Sequence, residues 1–183
     1  MSALDDLRLV NYCHPDCVPL RNIMRLPREQ AFALAHEMAE RNPDTTAFYR
    51  FADFANYYPR RLQTDALLHA RFIELGGRPV QEHPLSFVLQ GSDYLDGWFG
   101  HGTVTTVPLS RVPAEAVSFT YGDSMASLER YGKLILLTKG MLLEAIEAFD
   151  GTPEDFLADI AGRCRYIEAQ VWDDACLNLK TPS

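Results

Sequence analysis

A chain of 183 residues, 47% hydrophobic and 23% charged, has the make-up of one folded domain long enough to bury a substantial core. A formal net charge of −8 speaks against a general nucleic-acid binder, which needs an excess of Lys and Arg facing phosphate, although a local basic groove around Arg60, Arg61 and Arg71 stays open. No apolar run reaches the length of a bilayer span, and the start Met1-Ser2-Ala3-Leu4-Asp5-Asp6 is acidic, so the expectation is a cytoplasmic protein with no membrane partner.

In chain order, Leu7 to Tyr12 alternates as a strand, and Pro15 and Pro19 then force a loop. Pro27 suits the first position of a helix over 28–41, whose apolar face is Phe32, Leu34, Ala35, Met38 and Ala39. Asn42, Pro43 and Asp44 end it, with Asp44 placed to cap the next helix. The stretch 45–58 holds Phe48, Tyr49, Phe51, Phe54, Tyr57 and Tyr58 at helix-like spacing; a packing face is the simpler reading, a base-stacking platform the other. A third helix is expected over 60–75, closed by Gly76 and Gly77.

Strands follow at 84–90, 103–109, 116–120, 133–137 and 166–172, with a short helical segment near Tyr94 that Ser92 can cap. Thr138 caps a helix through Phe149, and Thr152-Pro153-Glu154-Asp155 opens another with a capping-box pattern. The expected fold is α+β, a single globular domain over 1–183 whose helical N-terminal half packs on a mostly antiparallel sheet.

Cys13, Cys17, Cys164 and Cys176 are read as reduced thiols, because Cys13-His14-Pro15-Asp16-Cys17 lacks the second ligand pair of a tetrahedral metal site. A nucleophilic Cys13–His14 pair is disfavoured, since adjacent side chains usually point apart. His83 and His101 read as loop residues at strand boundaries, His36 and His69 as helix-surface residues. No nucleophile elbow, phosphate-binding loop or dinucleotide fingerprint occurs.

The informative segments are Ser118-Phe119-Thr120-Tyr121-Gly122-Asp123-Ser124 and Tyr166-Ile167-Glu168-Ala169-Gln170-Val171-Trp172, which set polar groups where buried strands usually carry valines. Together with Gly76, Gly77 and Pro79 they resemble the landmarks of a family of uncharacterised bacterial proteins. More distantly, the C-terminal half resembles ADP-ribosyltransferase-like folds. That resemblance implies NAD as the bound molecule, with Glu168 as the catalytic carboxylate that stabilises a ribosyl cation. It also implies Arg8 or His14 as the early-strand donor and Ser118, Thr120 or Tyr121 as the middle-strand hydroxyl. The chain departs from the doublet pattern, because in Glu168-Ala169-Gln170 the carboxylate stands first and Gln170 second.

The shared-cleft expectation joins Glu168 with Tyr121, Asp123 and Ser124, faced by Arg8 or His14. The plainer expectations are an ion pair of Glu168 with Arg163 or Arg165 and an ordinary turn in which Asp123 caps a helix. Two functions remain open: an NAD- or nucleotide-binding enzyme with an ADP-ribosyltransferase-like site, and a non-catalytic binding or protein-interaction domain.

Overall fold

The alternation of apolar and polar residues builds one six-stranded sheet. The structure, a computed structural model, describes residues 3–177. The strands are β1 (Arg8–Cys13), β2 (Leu85–Leu89), β3 (Thr103–Pro108), β4 (Val117–Tyr121), β5 (Leu137–Thr138) and β6 (Ile167–Val171), in the order β3-β1-β2-β6-β4-β5. Every neighbouring pair is antiparallel. The helices are α1 (Arg28–Arg41), α2 (Tyr49–Ala52), α3 (Phe54–Glu74), α4 (Asp93–Trp98), α5 (Ser124–Tyr131), α6 (Lys139–Glu147) and α7 (Pro153–Cys164). Among the described residues no helix is long and apolar enough to cross a membrane.

Because side chains alternate across a strand, the register assigns each residue to a face. Leu9, Phe87, Leu89, Phe119, Ile167, Ala169 and Val171 share one face and pack with Leu142 and Ile146 of α6 and Phe156 and Ile160 of α7. The opposite face carries a row Thr120, Glu168, Val88, Val10 and a row Ser118, Gln170, Ser86 across successive strands. Over β6 this second face is covered by α3, whose Leu68 and Phe72 pack with Leu136 and Trp172. It opens at Ser86, which is exposed on an inner strand, whereas Val88 and Val10 on the same face are buried. The fold is therefore α+β with helices on both faces of the antiparallel sheet, and the uncovered part of one face is where a site can form.

Four details differ from expectation. The helix expected from residue 60 begins at Phe54 and runs through Pro59. Proline inside a helix removes a hydrogen bond, but here the first turn is held by burial: Phe54 is buried and stacks edge-on to Phe32 at 4.9 Å. Pro27 is the residue before α1 rather than its first, and Thr45, not Asp44, caps the turn leading to α2. Of the strand expected over 133–137 only Leu137 pairs, because Leu136 is drawn into the cluster beneath α3.

Candidate functional site

The second face of β4 and β6 holds a chain of buried polar groups. Trp172 Nε1 donates to Ser118 Oγ (2.8 Å), and Ser118 Oγ donates to Gln170 Oε1 (2.8 Å). Gln170 Nε2 donates to Thr120 Oγ1 and to Glu168 Oε1, both at 3.0 Å, and Thr120 donates to the Gly122 carbonyl. Glu168 also accepts from the backbone N–H and the hydroxyl of Ser124, at 2.9 and 3.0 Å. Gly122 (φ +79) makes this junction: its N–H donates to the Tyr166 carbonyl, and the left-handed turn delivers Asp123 and Ser124 to the start of α5. Asp123 caps that helix by accepting from Ala126 N–H. Burial and the neighbouring Asp123 push the Glu168 carboxyl above its ordinary range, while Arg61 and its hydrogen bonds pull the other way.

Beside this chain α3 contributes Tyr57, Arg61 and Asp65 at four-residue spacing, one face of a helix. Asp65 Oδ1 accepts from Arg61 Nε at 2.8 Å and also from its terminal nitrogen, and Asp65 Oδ2 lies 2.7 Å from His83 Nδ1. Burial opposes the charge on Arg61, yet Asp65, Tyr57 and Glu168 together hold its pKa above the usual arginine range.

At the outer end of the same face lies an aromatic shelf. Tyr49 and Tyr94, both exposed, flank Trp98 with ring centroids 5.6 and 5.8 Å away. Arg50 lies over Tyr49 and Tyr57, 3.7 Å from Asp123, and Arg165 lies over Tyr94 at 4.4 Å. Tyr166 stands between the shelf and the buried chain, its phenol pushed up by burial, Asp123 and Glu168. Arg165 and Tyr166 also line a groove of about 310 Å³ with Gln90, Gly91 and residues of α7. Gln90 (φ +59) and Arg165 (φ +71) both hold a left-handed backbone there, which is uncommon without glycine.

The structure brings together Glu168, Ser124, Gln170, Thr120 and Ser118, with Asp123 at their edge. Tyr121 is not among them: it points to the opposite face and packs against Phe156. Arg8 is exposed at the start of β1, where its N–H donates to the Gln90 side chain, and His14 packs its ring against Phe48 at 4.7 Å. Neither has a contact with Glu168, so the cleft expected to combine all of these residues does not form. Nor does Glu168 pair with Arg163 or Arg165, since Arg163 bonds Asp159 and Arg165 stacks on Tyr94.

Each arginine around which a basic groove stayed open has an acidic partner: Arg60 pairs with Glu129, Arg61 with Asp65 and Arg71 with Glu74. Burial pushes the Cys17 thiol up to about 11, and no group of three or more potential metal ligands gathers among the described residues. No protein-family model, no curated protein and no solved structure matches the chain.

Proposed function

We propose that the chain is a binding domain for a planar, anionic small molecule of the nucleotide class, NAD among them, with the shelf as its site. The observation that carries this reading is the pairing of two guanidinium groups, Arg50 and Arg165, with the rings of Tyr49, Tyr94 and Trp98. Rings offer a face on which a base can stack, and guanidinium groups offer forked donors to phosphate. The adjoining groove falls in the size range of small-molecule sites.

Transfer chemistry at Glu168 has less support. The side chain is 5% exposed and accepts three hydrogen bonds from the protein itself, which leaves little of it for a ribosyl cation. A protein-docking role for the aromatic segment also has less support, because Phe48 and Phe54 are buried and Phe51, Tyr57 and Tyr58 pack against the α1–α3 core.

Isothermal titration calorimetry with NAD, ADP-ribose, ATP and inorganic phosphate tests the reading. Binding of at least one nucleotide is expected, weakened about tenfold or more by Arg50→Ala and by Tyr94→Ala, each contact contributing about 1–3 kcal/mol. Absence of binding by all three nucleotides at millimolar concentration, or binding that both substitutions leave intact, overturns it.

A further inference from the structure

We propose that His83 is a catalytic general base, oriented by Asp65 and Arg61, that activates water or an alcohol for attack on an ester. The inference rests on the geometry of the imidazole and is independent of the nucleotide reading.

Asp65 is 1% exposed, and one of its oxygens is committed to the Arg61 guanidinium. A carboxylate so paired can only accept, so its other oxygen, 2.7 Å from His83 Nδ1, fixes the neutral imidazole as the Nδ1–H tautomer. The lone pair then sits on Nε2. Among the described residues Nε2 has no hydrogen-bond partner, and the one buried side-chain nitrogen or oxygen without a partner is Asn11 Oδ1. Nε2 therefore reaches solvent, through the side chain's 15% exposure.

The backbone holds the ring in place as well: the His83 carbonyl accepts from Arg25 Nε at 2.8 Å, and Arg25 is tied to Asp174 by two hydrogen bonds. The charged groups linked to His83 are thus Asp65 at its ring, Arg61 of α3 behind that carboxylate, and Arg25, of the turn before α1, at its carbonyl, itself held by Asp174 beyond β6. The imidazole is engaged at Nδ1 and open at Nε2; His101 also meets an aspartate through Nδ1, but there the carboxylate of Asp96 is a third exposed, whereas Asp65 is buried and itself fixed by Arg61. That is the arrangement of an oriented base.

The step balances without a further reactant. Nε2 takes a proton from water as the water oxygen bonds to the carbonyl carbon of the ester. The ester C–O bond then breaks, and the imidazolium returns the proton to the departing alkoxide. Asp65 stabilises the imidazolium while it lasts.

The test uses p-nitrophenyl acetate as probe and the whole protein. Catalytic release of p-nitrophenolate is expected. His83→Gln should lower the rate at least tenfold, and Asp65→Asn should lower it while His36→Gln with His101→Gln leaves it unchanged. Long-range proton–nitrogen NMR of the unmutated protein should show His83 as the Nδ1–H tautomer, a readout that does not depend on any variant folding. An Nε2–H tautomer, a His83→Gln rate within twofold of the starting protein, or a wild-type rate no higher than that of free imidazole at equal concentration each overturns the proposal. Nucleotide binding can fail in the calorimeter with none of these results changing.

Discussion

Glu168 and Asp65 are both carboxylates on the side of the sheet that α3 covers, 5% and 1% exposed, and the chain treats them in opposite ways. Glu168 is closed on itself, its acceptor positions filled by Ser124 and Gln170. Asp65 is held by a full positive charge and passes its second oxygen to an imidazole that reaches solvent. A buried carboxyl hydrogen-bonded by neutral donors organises a fold; a buried carboxylate linked to an accessible imidazole can organise chemistry. The type of residue and its depth do not separate these roles. The partner does.

Breaking the Asp65 side should cost the most. Asp65→Ala strands Arg61 in a nearly dry position, and unfolding in urea should show a loss of about 3–5 kcal/mol. Glu168→Ala should cost less, about 1–3 kcal/mol, because it leaves neutral donors rather than a charge unpaired, as the same urea titration would show.

The pH dependence sharpens the contrast further. The folded Glu168 carboxyl lies above its ordinary value, so its stabilising contribution is complete below the unfolded value near 4.5 and is lost as pH rises through the folded value. Glu168→Gln should therefore gain stability relative to the starting protein as pH increases from about 4 to 8, and urea midpoints compared across that range would expose a flat or reversed difference. The smallest effect on stability belongs to the shelf: Tyr49→Ala should move the unfolding free energy by no more than about 0.5 kcal/mol, since the ring is 52% exposed. Its effect should appear in nucleotide titrations instead.

Much of the fold was legible because burial follows the period of the element. The strands at β2, β4 and β6 and the caps Ser92, Asp123, Thr138 and Thr152 stand where alternation and capping chemistry predict them. The helix through Pro59 was not legible, since its continuity depends on Phe32 of another helix. The grouping of Glu168, Ser124 and Gln170 could be anticipated from polar residues on alternating strand positions. The same rule takes Tyr121 away from them, as it lies one residue from Thr120 and must face the other way. Arg61 and Asp65 carried a readable signal, two charges on the helix stripe that continues through Leu68 and Phe72. His83 carried none, because its partner lies 18 residues away on a helix and only the folded chain brings them together.

The two tryptophans divide the molecule for spectroscopy. Trp172 is wholly dry, its indole N–H held by a serine, whereas Trp98 is half-buried between two exposed tyrosines. Emission from the first should lie to the blue and shift red only when the α3 layer separates from the sheet. Emission from the second should respond to anything that settles on its neighbours while the protein stays folded. Replacing either tryptophan with phenylalanine would leave the other as a single optical probe, so loss of the layer and occupation of the shelf can be followed as separate events in one cuvette.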